Sequence, residues 1–332
     1  LCLNGLNING LCLNGMNMNG MNGLNKTVSL FVDLPRNDYH YFDLPFIKEE
    51  IESIKQLTST NILVPSKAVD YIQNNLSISG PAYMVQQALE LIVNFIPLAI
   101  EFDYTISCFE SESLQKREAL NQIESIAQKY EVVIRLAKIG KENDKNSKHN
   151  DFNDNEIEVY KVVIKGANNY EGRRNIKNAY DDLVKLIKDY NGRPSDFIQT
   201  EISISPQFDD HNPGRRNSFL DSINNGAQIT IKKEATLTLV SISANSFDIL
   251  IEALLQVFKK TVIELEFNIS ENESCWLKRF PVDSLAANLN VHIFIKPSLA
   301  QGQKTVMIRG IIDTPKPLFE ARDWILSHLR YF

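Results

Sequence analysis

Residues Ile51–Pro65 read IESIKQLTSTNILVP. Ile47, Ile51 and Ile54 recur at spacings of four and three, which sets them on one face of a helix. The stretch then changes period. NILVP (61–65) is a short apolar run closed by a proline, the pattern of a brief strand. A helix that gives way to a strand within a few residues is a compact signature, and the chain repeats it. IESIAQKYEVVIRL (123–136) and VDSLAANLNVHIFI (282–295) carry the same apolar pair followed by a β-branched run. Each copy is followed by a second strand that ends in a glycine, within LSISGP (76–81), VVIKGA (162–167) and VMIRGI (306–311). A longer amphipathic helix comes next.

Working outward, the same order of elements recurs four times. The first unit opens with a strand at 27–34 and closes with strands at 61–65 and 76–81 and a helix at 82–95. In the second, a strand at 97–106 precedes a helix at 117–130, strands at 132–137 and 160–166, and a helix at 175–190. The third has a strand at 198–205, a short helix near Phe219–Ile223, strands at 227–233 and 236–243, and a helix at 247–260. The fourth runs from a strand at 262–270 through a helix near Val282–Asn288 to strands at 289–295 and 304–310 and a helix at 317–329. The expected fold class is therefore α+β, each unit a three-stranded antiparallel sheet with helices on one face. Boundaries fall at 27–95, 96–191, 196–260 and 261–332, with a polar excursion at 138–158 expected to be disordered.

The bulk composition narrows the function classes. The 332 residues are 43% hydrophobic and 23% charged, with a net charge of -6, so no global basic field favours nucleic acid. Cys2, Cys12, Cys108 and Cys275 lack C-x-x-C spacing, which argues against a disulfide framework or zinc site and fits a reducing, cytoplasmic setting. No apolar run has the length of a membrane span. Residues 1–26 repeat a five-residue unit ending in Asn-Gly (LCLNG, LNING), read as a low-complexity tail, and the start at Leu1 suggests a piece of a longer chain. Four N-x-S/T triplets, at Asn25, Asn75, Asn268 and Asn272, follow from an Asn-rich composition. Asp209-Asp210-His211 has no matching cluster of ligands, and no Walker loop, nucleophile elbow or dinucleotide fingerprint occurs. Catalysis, a metal and a cofactor are not expected.

The recurring pattern resembles the type I KH domain, the RNA-binding module of vigilin and Bicaudal-C-like proteins. The resemblance implies four tandem KH-like modules with β-α-α-β-β-α order, in which a G-x-x-G loop between the first two helices grips the phosphate chain. Glycines there let the backbone approach, and N–H groups at the next helix start face the anions. Counting back from the matched helices places this loop on Pro45-Phe46-Ile47-Lys48, Arg117-Glu118-Ala119-Leu120 and Trp276-Leu277-Lys278-Arg279, all without glycine. In the third unit it falls on Gly214-Arg215-Arg216-Asn217, within PGRRNS (213–218). There a glycine, a residue tolerant of positive φ and two arginines suited to phosphate make an RNA-binding site. The alternative is a solvated surface turn, since Asn-Pro-Gly signals a turn by itself.

GRRN also occurs at 172–175, where it is expected only to start the closing helix, with Gly172 easing the turn. Arg215-Arg216-Asn217-Ser218 additionally suits a basophilic kinase, which makes Ser218 a candidate phosphosite. Two functions follow: an RNA-associated regulator that touches single-stranded RNA through the third module, or a protein-interaction or dimerisation scaffold of degenerate modules. The partners expected are single-stranded RNA, proteins of an mRNP and a second copy of the chain, with no membrane.

Overall fold

The computed structural model describes residues 26–34, 39–65, 75–107, 117–142, 157–204, 226–233 and 238–329. In the first segment these form β1 (Thr27–Asp33), α1 (Tyr39–Phe42), α2 (Pro45–Thr58), β2 (Asn61–Leu63), β3 (Asn75–Pro81) and α3 (Ala82–Ile92). A 3-10 turn, Val93–Phe95, leads into β4 (Pro97–Ser107), followed by α4 (Arg117–Lys129), β5 (Val133–Glu142), β6 (Ile157–Ala167) and α5 (Tyr170–Asp189). Next come β7 (Arg193–Ile204), β8 (Gln228–Lys233), β9 (Thr238–Ala244) and α6 (Phe247–Phe258). The last segment is β10 (Val262–Ser270), α7 (Glu271–Leu277), α8 (Val282–Leu289), β11 (His292–Pro297), β12 (Gln303–Ile311) and α9 (Lys316–Leu329).

Mixed α and antiparallel β structure is thus present, as expected from the sequence, and the stretch between β7 and β8 lies outside the described residues. The sheets differ from the expectation: the strands form two antiparallel sheets of six, ordered β11-β12-β10-β1-β3-β2 and β5-β6-β4-β7-β9-β8. The first strands of two segments pair edge to edge, β1 with β10 and β4 with β7. A three-stranded sheet would leave its first strand as an open edge with unpaired N–H and C=O groups, and this pairing removes it. The pairing is nested, since the outer segments of the chain share one sheet and the inner two share the other.

Strand alternation sets the core. Val28, Leu30 and Val32 of β1 and Ile263, Leu265 and Phe267 of β10 point to one buried face, while the residues between them stay half-exposed. Helices cover the buried face: Ile47, Ile51 and Ile54 of α2 and Val85, Leu89 and Ile92 of α3 lie within the core. Arg322 of α9 is 1% exposed and donates to the carbonyl of Lys26 at 3.1 Å, which ties the start of β1 to the last helix.

The helix-to-strand switch that organises the sequence has one recurring backbone solution. Ser59, Glu131 and Asn290 follow α2, α4 and α8 in the left-handed conformation, with φ of 50°, 52° and 53°. In each case the next amide bonds back to the helix, Thr60 to Lys55 (3.3 Å), Val132 to Ala127 (3.0 Å) and Val291 to Ala286 (3.0 Å). This is the Schellman closure, in which glycine is the usual residue.

Boundaries move in three places. β7 begins at Arg193, five residues before the strand expected from 198. The excursion at 138–158 is shorter than expected, because β5 continues to Glu142 and β6 begins at Ile157. Lys138 pairs with the buried Glu158, which also accepts from the Tyr160 hydroxyl at 2.8 Å, so cross-strand contacts extend the ladder into polar sequence. α5 begins at Tyr170, five residues before the expected helix. Residues 1–25, 143–156 and the helix expected near Phe219–Ile223 lie outside the described residues.

Left-handed glutamate costs more than left-handed asparagine, whose short side chain tolerates the conformation. Glu131→Gly is therefore expected to raise stability by about 1 kcal/mol and Asn290→Gly by less, read as the shift in urea midpoint.

Candidate nucleic-acid interface

The two copies of GRRN have different standing. Gly214, Arg215, Arg216 and Asn217, with Ser218, lie outside the described residues. The copy at 172–175 lies inside α5, and its glycine does not serve the turn. Asn169 is the N-cap and accepts from the Gly172 amide at 2.6 Å. Gly172 is buried against the end of β6, where a Cβ would sit 2.3 Å from the Ala167 carbonyl oxygen. The position demands glycine for backbone contact, and Arg174 is exposed beside a half-buried Arg173.

The three glycine-less loops are also displaced from the counted positions. Pro45-Phe46-Ile47-Lys48 is the first turn of α2, with Pro45 at the helix start, and the link from α1 is Asp43-Leu44. Lys48 is paired with Asp43 at 3.0 Å. Arg117-Glu118-Ala119-Leu120 is the first turn of α4, and Ala119 is fully buried. Trp276 and Leu277 end α7, so the link to α8 is Lys278-Arg279-Phe280-Pro281. A fixed count assumes that every second helix starts at the same distance from its apolar pair. Proline at the first position starts α2 early.

In the α7–α8 link the backbone is already committed. The Lys278 amide donates to Ser274 (3.4 Å), Arg279 to Trp276 (2.9 Å), Phe280 to Leu277 (3.1 Å) and Val282 to Phe280 (2.8 Å). Pro281 has no N–H. Within the link itself an anion meets side chains only, and the first-turn amides of Asp283 and Ser284 in α8 follow it. Lys278 and Arg279 are exposed, and the Arg279 guanidinium lies 4.3 Å from the Trp276 ring centroid, a stacking that leaves its edge free for a phosphate. Phe280 anchors the link from below, edge-on to Trp324 (6.2 Å) and His328 (5.2 Å), which stack at 3.9 Å. Sequence reasoning missed this aromatic cluster. Its one signal was Trp324 and His328 four apart on α9.

Beside the link, α8 and β11 leave a half-open apolar groove. Val282, Leu285, Ala286, Leu289 and Ile293 are only partly buried, and Ile295 is exposed at its rim. In the first segment the matching residues Ile51, Ile54 and Ile62 are buried. The opposite, open face of this sheet is acidic: Asp33, Glu264 and Glu266 face Arg309 and Lys296. Burial, then repulsion from Glu264, pushes the Asp33 carboxyl up to about 6 against the opposing pull of Arg309. Among the described residues no group of three or more His, Cys, Asp or Glu could hold a metal ion, and Asp209, Asp210 and His211 lie outside them. No described helix is long and apolar enough to cross a membrane.

Comparison with known proteins points to the same segment. Residues 264–330 match the family described as "Protein bicaudal C homolog 1, KH-like domain". This segment is similar to that KH-like domain. No curated protein matches the chain in sequence. A solved structure described as "KH domains" aligns over 92% of this chain and 86% of that chain, at 14% identity and a TM-score of 0.49. The ligand-free regulatory subunit of aspartate kinase from Thermus thermophilus aligns over 48% of this chain and 92% of that chain, at 11% identity and a TM-score of 0.19. The KH-like match runs from within β10 to the end of α9 and includes the α7–α8 link, the groove and the aromatic cluster.

Two outcomes test this description. Gly172→Ala is expected to cost about 2 kcal/mol in thermal unfolding, because the obstacle is backbone and cannot swing aside. Asp33 binds its proton more tightly folded than unfolded, so stability falls as pH rises from about 4 to about 6. Asp33→Asn should then raise the melting temperature at about pH 7.5, by an amount on the order of 2 kcal/mol in stability, and should lose that advantage near pH 4.

Proposed function

We propose that this chain is an RNA-associated protein built of four KH-like repeats, acting in post-transcriptional regulation with limited direct contact to single-stranded RNA. The observation that carries this reading is the KH-like match at 264–330, set within an element order that recurs along the chain. The contact is assigned to the third repeat. The amides of the α7–α8 link of the fourth are taken up by short turns and the preceding helix, and the helix starts at Pro45 and Arg117 carry no glycine. Gly214-Arg215-Arg216-Asn217 keeps a glycine, a residue suited to positive φ and two guanidinium groups. Ser218 beside them is the site at which phosphorylation would oppose RNA through charge. The protein would work in the cytoplasm with protein partners of an mRNP.

A second reading, an interaction scaffold without direct RNA binding, is favoured by the committed amides in the α7–α8 link of the fourth segment. Its partners would be proteins or a second copy.

Titration of the full chain with random single-stranded RNA at two salt concentrations separates the two. On the RNA reading, affinity falls with salt, and replacing Arg215 and Arg216 by alanine lowers the log–log salt slope by about 0.7 per arginine. Gly214→Asp should weaken binding about tenfold or more, and Ser218→Asp should weaken it in the same direction. Absence of binding at low salt would leave the scaffold reading standing, and light scattering on the same samples reports self-association.

A further inference from the structure

The four first strands can be put on one scale by the small residue each faces near the end of its neighbour. Val28 faces Gly80, Leu98 faces Gly166, Ile198 faces Ala244 and Ile263 faces Gly310. On the open side of the sheet, the first and third residues beyond these points are Ser29 and Phe31, Ala99 and Glu101, Gln199 and Glu201, and Glu264 and Glu266. Both joints use one register. Ser29 faces Glu266, Phe31 faces Glu264, and Glu101 faces Gln199. In all three pairs a third-place residue meets a first-place residue of the partner; the β4–β7 ladder ends at Glu101–Gln199, and continuing its count would set Ala99 across from Glu201.

We propose that Glu101, Glu201, Glu264 and Glu266 select which segments pair. Four segments can be joined in pairs in three ways, and only the observed one sets no carboxylate directly across from another, Asp33 and Glu264 being diagonal neighbours at the β1–β10 joint. Pairing the second segment with the fourth would oppose Glu101 and Glu264. Pairing the third with the fourth would oppose Glu201 and Glu264. Two copies joined through β10 would oppose Glu264 and Glu266 twice, so this strand is closed to a second copy of itself. Like charges directly opposite one another destabilise a strand pair. Three of these carboxylates already hold a cation on the outer strands, Glu264 with Arg309 and Glu101 with Lys161 (3.0 Å) one strand outward and Glu266 with Lys296 two strands outward. Glu201 accepts from the Ser241 hydroxyl at 3.4 Å. The first segment, with Ser29 and Phe31, is the partner that the two glutamates of β10 accept.

The proposal stands apart from the RNA reading and is tested without RNA. Hydrogen exchange of the full chain compares Phe31→Gln with Phe31→Glu, two side chains of similar size. Glutamine across from a glutamate is the arrangement Gln199 already makes with Glu101, so Phe31→Gln should keep the protection of β1 and β10. Phe31→Glu should lower it about fivefold and leave β4 and β7 unchanged, and adding Glu264→Gln should restore it. If Phe31→Glu yields no folded protein, recovery of folded chain by Glu264→Gln gives the same answer. Equal losses for Phe31→Gln and Phe31→Glu, or no recovery with Glu264→Gln, would overturn the proposal.

Discussion

The edge-to-edge pairing of first strands, β1 with β10 and β4 with β7, is the interaction on which the rest of the structure depends. A β-strand at a sheet edge carries a row of polar backbone groups that must find partners or water. Here each edge is satisfied by the corresponding strand of another segment, in one register centred on Leu30 and Leu265 in one sheet. That register puts apolar residues on the covered side and leaves Glu264, Glu266, Phe31 and Ser29 on the open side. The nested order follows, because the segment that opens the described chain and the one that ends it must meet across the middle two.

The same economy of backbone groups governs the candidate interface. A helix start offers amides to an anion only if nothing nearer accepts them. In the α7–α8 link, short turns and the preceding helix use the amides of Lys278, Arg279, Phe280 and Val282, while Phe280 holds the link against Trp324 and His328. The segment with the KH-like match therefore presents Lys278 and Arg279 as side-chain contacts beside an apolar groove, without a backbone clamp.

Much of the element order was legible because period and stop signals agree. Ile51 and Ile54, then NILVP, announce a helix and a strand, and β10 begins and ends where VIELEFNIS suggests. Lengths were less legible. β5 and β6 extend into a polar stretch because Lys138 of β5 pairs with Glu158 of β6, which Tyr160 on its own strand also satisfies, a gain that no single-strand pattern carries. Gly172 looked like a turn residue, yet its constraint is the Ala167 carbonyl, a neighbour fixed only when α5 packs on β6. Loop positions counted from Ile51 and Val282 slipped because Pro45 starts one helix early and Phe280 ties down the other link.

By itself the sequence determined the α+β class, the alternation that chooses a buried strand face, and the helix-to-strand switches after α2, α4 and α8. These depend on residues close together in the chain. The tertiary structure decided which strands share a sheet, which amides remain free, and why Gly172 must be glycine. Those outcomes depend on groups hundreds of residues apart or on a single close approach, such as Leu30 to Leu265 or Gly172 to Ala167. Local pattern specifies what each strand is able to pair with, and only the folded chain specifies the partner.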